Sequence, residues 1–198
     1  MDPHILLALA GFAFATTWTP GPNNVMLAAS GATFGWRATV PHAMGVALGF
    51  AVMVFLIALG LGEIFQRSPV LRASLAWAGA AVMLWLAWRI ATAEAAQAQR
   101  RSRPLRFHEA AAFQWINPKG WAMAIGASAT YARGDDPVFE AGLITAAFVI
   151  AGLTSSQTWA AFGAGIGQAL GTGARLRAFN MIMGVLLAAC ALWLVLEA

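Results

Sequence analysis

Charge is scarce in this chain: 10% of its 198 residues are Asp, Glu, Lys or Arg while 60% are hydrophobic, and the mean hydropathy is +0.69. A soluble domain carries about a quarter charged residues, so an ordinary water-soluble surface is excluded. Cysteine occurs once, at Cys190, which excludes an internal disulfide or a thiol pair for redox work. The residue reads as a small buried hydrophobe. The three histidines lie near segment ends and do not cluster with acids or with the cysteine, so the ligand sets of a metal site, a haem pair or a nucleophile-base pair are missing. The chain therefore reads as a protein without cofactor or metal, and not as an enzyme. A positive leader is missing as well. The chain opens Met1-Asp2-Pro3-His4, so its first apolar run reads as a retained span and not a cleaved signal.

What remains is apolar sequence in long blocks. Six segments can be read between charges: Ile5 to Trp36, Ala38 to Gly62, Ala73 to Trp88, Ala110 to Tyr131, Ala141 to about Gly167, and Ala178 to Leu196. Each approaches or exceeds the roughly 20 helical residues that cross a hydrocarbon core. Alternating ten-residue stretches, the mark of a transmembrane barrel, do not occur. The expectation is an all-α integral membrane protein of six transmembrane helices, one domain over residues 1–198, bathed in lipid.

The arginines set its orientation. Arg37, Arg89, Arg100, Arg101, Arg103, Arg106, Arg175 and Arg177 fall in the odd loops, and only Arg67, Arg72 and Arg133 in the even ones. The positive-inside rule then places the odd loops in the cytoplasm and both termini on the periplasmic side. The run RRSRPLR lacks interleaved aromatics and lies between two spans, so it reads as a topology determinant able to meet anionic headgroups, not as a nucleic-acid site.

Two segments carry a helix-breaking motif, TPGPNN at Thr19 to Asn24 and INPKGW at Ile116 to Trp121. Proline lacks an N–H and is best tolerated at the first position of a helix, after a capping residue. Thr19-Pro20 and Asn117-Pro118 fit that form, and each predicts the start of a second half-helix. Such an N-terminus carries partial positive charge and free N–H groups that hold anions. A shift of 97 residues places Trp18 on Trp115, Met26 on Met123 and Gly45 on Gly142. Halves of about 1–98 and 99–198, three spans each, would have to insert in opposite orientations, the inverted-repeat plan of many secondary transporters.

Lys119 stands out because a lysine at membrane depth costs about 2.5 to 3.5 kcal/mol, and no acid in the six segments lies at comparable depth. Glu63, Glu94, Glu109, Asp135, Asp136 and Glu140 all lie at or near segment ends. The expected partner of Lys119 is a substrate carboxylate, with the substrate ammonium on carbonyls and on the amide oxygens of Asn23, Asn24 and Asn117. The binding candidates are Thr19, Pro20, Gly21, Pro22, Asn23, Asn24, Gln114, Asn117, Pro118 and Lys119. Ser155, Ser156, Gln157 and Thr158 form a polar cluster in segment five that either lines the path or bonds between helices. For a transported proton the sequence offers His42 and Glu109.

TPGPNN together with FQWINPKGW, Phe113 to Trp121, resembles the paired motifs of the LysE/RhtB family of amino-acid exporters, and the resemblance covers the whole chain. It implies export of an amino acid across the bacterial inner membrane, driven by an ion gradient, with the proton as the expected ion. The sequence GWAMAIGASATYA after NPK is similar to the branch that exports cysteine and O-acetylserine. With no deep carboxylate to receive a cationic side chain, a small neutral amino acid or derivative, of the cysteine, O-acetylserine, threonine or homoserine type, is expected over a basic one; metal ions and other small solutes are the alternatives. A chain this small is compatible with a homodimer.

Overall fold

The structure is a computed structural model that describes residues 2–92, 103–132, 136–171 and 173–196. Arg100, Arg101, Arg133, Glu94 and Asp135, used above to read topology and charge, lie outside the described residues. Within them the chain is helical throughout. The first segment splits into α1 (Pro3–Trp18) and α2 (Pro22–Phe34), inclined at 54°. Gly35 turns the chain in one residue, at φ 83°, into α3 (Trp36–Leu56). A π-helical turn at Ile57–Leu61, with Gly60 at φ 120°, joins α3 to the short α4 (Gly62–Arg67). Positive φ is a conformation that glycine alone adopts readily. Then follow α5 (Pro69–Ala91), α6 (Phe107–Phe113), a 3₁₀ turn at Gln114–Ile116, α7 (Pro118–Tyr131), α8 (Pro137–Leu170) and α9 (Ala174–Leu196).

Four stretches are long and apolar enough to cross a membrane, Trp36–Arg67, Pro69–Ala91, Pro137–Leu170 and Ala174–Leu196, and the bent pair α1–α2 makes a fifth. The fourth expected segment is divided more finely than its composition suggests, into α6, the 3₁₀ turn and α7, each shorter than a span. Its proline removes one ladder hydrogen bond, and the chain before the Asn117 cap tightens into the 3₁₀ turn.

The bundle is built around α8, which packs along α1, α2 and α3, while α5 packs along α9. Phe148 of α8 is fully buried between Phe12 and Phe50, edge-on to both rings. The approach of α2 to α8 needs glycine: a Cβ on Gly163 would fall 2.0 Å from the Ala28 carbonyl oxygen, and one on Gly31 would fall 2.1 Å from that of Ala160. With no side chain intervening, the backbone of α2 is held rigidly beside α8. That rigidity matters because the N-terminus of α2 is where the candidate site begins.

Candidate functional site

The two broken segments meet. A cavity of about 50 Å³ is lined by Gly21, Pro22, Asn23, Asn24, Gln114, Asn117 and Lys119, with Thr16 and Thr17 at the end of α1, Val46, Ala47 and Phe50 on α3, and Ser155 and Ser156 on α8. It has room for several waters. Of the expected binding residues, Thr19, Pro20 and Pro118 do not line it; the first two are exposed, and the structure uses their backbone carbonyls instead. Of the polar cluster on α8, Ser155 and Ser156 face the cavity, whereas Gln157 accepts a bond from the Trp36 indole N–H at 3.0 Å.

The first break is placed two residues later than expected. Thr19 closes α1, its hydroxyl donating back to the Ala15 carbonyl, and α2 starts at Pro22 with Gly21 as its extended N-cap. Either proline could occupy a first helical position; using Pro22 leaves the Thr19 and Pro20 carbonyls outside any helix. These carbonyls receive cationic and amide donors. Asn24 Nδ2 donates to the carbonyls of Thr17 and Thr19, each at 2.9 Å, and Ser155 Oγ to that of Thr17 at 2.8 Å.

Lys119 reaches across from the second break. Its Nζ donates to the Thr19 carbonyl at 2.5 Å and the Pro20 carbonyl at 3.4 Å. The ammonium is thus compensated by the carbonyl end of α1, the negative pole of that helix. No protein carboxylate faces it among the described residues. Gly21 makes the crossing possible, since a Cβ there would lie 2.8 Å from Lys119 Cδ and 3.2 Å from Nζ. Its φ of −175° is ordinary extended backbone, so the need for glycine is one of space.

Asn117 sits at the N-cap position of α7, as expected, but its side chain makes no capping bond. Its Oδ1 is buried without a partner, in a residue only 3% exposed. A buried, unpaired acceptor requires an explanation, and one on a cavity wall is available to a ligand donor. Gln114 is fully buried and exchanges bonds with Asn23, Nδ2 to Oε1 at 2.8 Å and Nε2 to Oδ1 at 3.3 Å, while Nε2 also donates to the Ala110 carbonyl at 2.8 Å. This amide pair fixes the two breaks to each other. The first turns of α2 and α7 leave the N–H groups of Asn23, Asn24, Lys119 and Gly120 without intrahelical acceptors, and all four residues line the cavity.

Neither proton candidate is here. Glu109 lies on the charged rim outside the apolar run, bound by Arg103 at 2.7 and 2.6 Å and by the Arg106 N–H at 2.7 Å. Arg103, and then the backbone N–H, hold its carboxyl down at about 2, so it stays ionised at neutral pH. His42, expected near a helix end, is 2% exposed with neither nitrogen partnered.

The signal for Thr16, Thr17 and Phe50 was weak: two threonines ahead of a proline break, and one phenylalanine among many. The chemistry of the cavity is clear. It presents an ammonium and two helix N-termini beside carbonyl oxygens and a free amide oxygen.

The family described as LysE type translocator matches residues 5–198. A protein of Salmonella typhimurium named cysteine/O-acetylserine efflux protein is 34% identical over 131 residues, 66% of this chain and 67% of its own. The protein of that name from Escherichia coli (strain K12) is 32% identical over the same span and shares. No solved structure matches the chain.

Proposed function

We propose that this chain, which belongs to the LysE type translocator family, exports a small neutral amino acid or derivative across the bacterial inner membrane in exchange for protons. The observation that carries the reading is Lys119, an ammonium with no carboxylate partner, held among two half-helix N-termini and an unpartnered amide oxygen. The relatives named for cysteine and O-acetylserine efflux supply the substrate type. Both are zwitterions without a cationic side chain, which fits a cavity wall that contains no carboxylate.

The mechanism is an exchange of partners. In the structure the carbonyls of Thr19 and Pro20 hold the Lys119 ammonium. An arriving amino acid offers its carboxylate to Lys119 and to the N–H groups of the half-helices, and its own ammonium to the vacated carbonyls and to Asn117 Oδ1. Positive charge on those carbonyls is thereby conserved between the two states. Because Lys119 belongs to one break and the carbonyls to the other, occupancy acts directly on the relative position of the halves.

The packing supports an inverted repeat over one domain, with halves of about 1–98 and 99–198. The second spans of the halves, α3 and α8, pack on each other, and so do the third, α5 and α9. The first span lies on α8 as α6 lies on α3. The arginine distribution supports periplasmic termini.

The test is proton-gradient-driven uptake of labelled O-acetylserine, cysteine, threonine and lysine into inverted vesicles, comparing wild type with Lys119→Gln and Lys119→Arg. Uptake of a neutral amino acid that Lys119→Gln reduces at least about tenfold is expected, given roughly 1.5–3 kcal/mol for a hydrogen bond to a charged group. Uptake of lysine alone, or unchanged uptake in both variants, would reject the assignment.

A further inference from the structure

A second cavity, of about 80 Å³, lies one helical turn from the central one. On α2, Asn23 lines the first cavity and Met26 the second; on α3, Val46 lines the first and His42 the second. Residues three or four apart share a helix face, so the adjoining edges of the two linings are about one turn apart on each helix. The second cavity opens toward the end of the bundle where Phe34, Arg89 and Arg103 meet, the end assigned to the cytoplasm by its arginines.

Its lining, largely apolar, carries polar side chains at Ser30, Thr33 and His42 and two arginines, Arg89 and Arg103. Both imidazole nitrogens of His42 are buried and unpartnered. The Ser30 hydroxyl lies 3.1 Å from that of Thr39. At the rim, Arg103 is committed to Glu109, whereas Arg89 lies 5.0 Å from the centre of the Trp85 ring and has no carboxylate partner among the described residues. A cation at the mouth and an unpartnered imidazole within offer one group to each end of a small zwitterion.

We propose that this second cavity is an entry site for the exported amino acid, binding its carboxylate at Arg89 and its ammonium at His42 before transfer to the central site. The proposal rests on the export reading above. Met26 and His42 form the partition, and methionine, unbranched and flexible, is suited to moving aside. The substrate then advances past that partition, its carboxylate passing from Arg89 to Lys119. An exporter gains from such staging, because the rim arginine concentrates an anionic group that the apolar bundle would otherwise repel.

The experiment introduces one thiol at the cavity, Ser30→Cys in a Cys190→Ser background, with Thr33→Cys as a second position should the first not fold. Inverted vesicles expose the cytoplasmic face to a membrane-impermeant thiosulfonate reagent. O-acetylserine, threonine and homoserine are each tested for protection. Modification from this face is expected, slowed several-fold by an amino acid that the wild type transports, and still slowed when Lys119→Gln disables the central site. Arg89→Gln, a change on an exposed side chain, should raise the protecting concentration about tenfold. Absence of modification from this face, or protection that vanishes with Lys119→Gln, would overturn the entry site. Wild-type vesicles that accumulate none of these amino acids would instead overturn the export reading beneath it, so the two failures are distinguishable.

Discussion

Gly21→Ala removes no polar group and no charge, yet it should disable the site. The added Cβ would sit 2.8 Å from Lys119 Cδ. Carbon atoms settle at about 3.5–4.0 Å, so the lysine stem must retreat by about 0.7–1.2 Å. The Nζ–Thr19 bond, 2.5 Å long, then stretches past the useful range of about 3.2 Å. A bond to a charged group is worth about 1.5–3 kcal/mol. For a chain of this size that corresponds to a fall in unfolding midpoint of about 3–12 °C.

The measurement is a double-mutant cycle on the purified protein, following the midpoint in Gly21→Ala, Lys119→Ala and the double variant. If the effect is steric and acts through Lys119, shortening residue 119 leaves Gly21→Ala nothing to displace. Its cost in that background should then be within about 0.5 kcal/mol of zero. Uptake in the single variant should fall about a hundredfold, since misplacing a binding group by about 1 Å costs that much. An equal loss from Gly21→Ala with and without the lysine would refute the reasoning and assign the effect to the backbone of the break.

Asn117→Leu should leave the unfolding midpoint nearly unchanged, because Oδ1 has no bond to lose, while apparent substrate affinity falls about tenfold or more; concentration-dependent uptake and a melting curve read the two separately. Gly163→Ala should cost about 1–3 kcal/mol or more through the Ala28 carbonyl, whereas Gly165→Ala, two residues on and facing open space, should be neutral or stabilising by up to about 1 kcal/mol; paired thermal melts decide this. Glu109 is held down at about 2, below its ordinary 4.5, so its contribution to stability is present above pH 4.5 and is lost as pH falls toward 2. Glu109→Gln should erase that acid-range loss and leave the pH profile of transport between about pH 5 and 8 unmoved; a shifted profile would give Glu109 a role in proton coupling that its ion pair argues against.

How much could be read from the sequence follows the range of each interaction. The helices, the break positions to within two residues, and the isolation of Lys119 depend on composition and local proline chemistry. The partner of Lys119 could not be read, because it is a backbone carbonyl 100 positions away, and carbonyls carry no sequence signature. The break expected at Thr19-Pro20 falls instead at Gly21-Pro22, because both prolines fit a first helical position and local chemistry does not separate them. The fragmentation of segment four at Gln114–Ile116 and the second cavity beside His42 likewise arise from tertiary contact.

The three prolines of the breaks also explain how a chain so poor in charge forms a polar site. Pro20 and Pro22 cannot donate to the carbonyls four residues earlier, and Pro118 cannot donate to that of Gln114. The first break leaves carbonyls at the end of α1 to side-chain donors, and both breaks leave N–H donors at the start of the next helix. In this fold α1 ends where α2 and α7 begin, so the carbonyl pole of one helix and the N–H poles of two others face one cavity. Three helix ends, each worth about 0.3–1 kcal/mol and up to about 2 when partly buried, make a divided field of both signs without any deep acid. A metal ion would meet only half of that field, and so would a simple anion. Under the proposed function a zwitterion meets both halves, with Lys119 adding to the positive one, a complementarity that a cluster of one charge would not give.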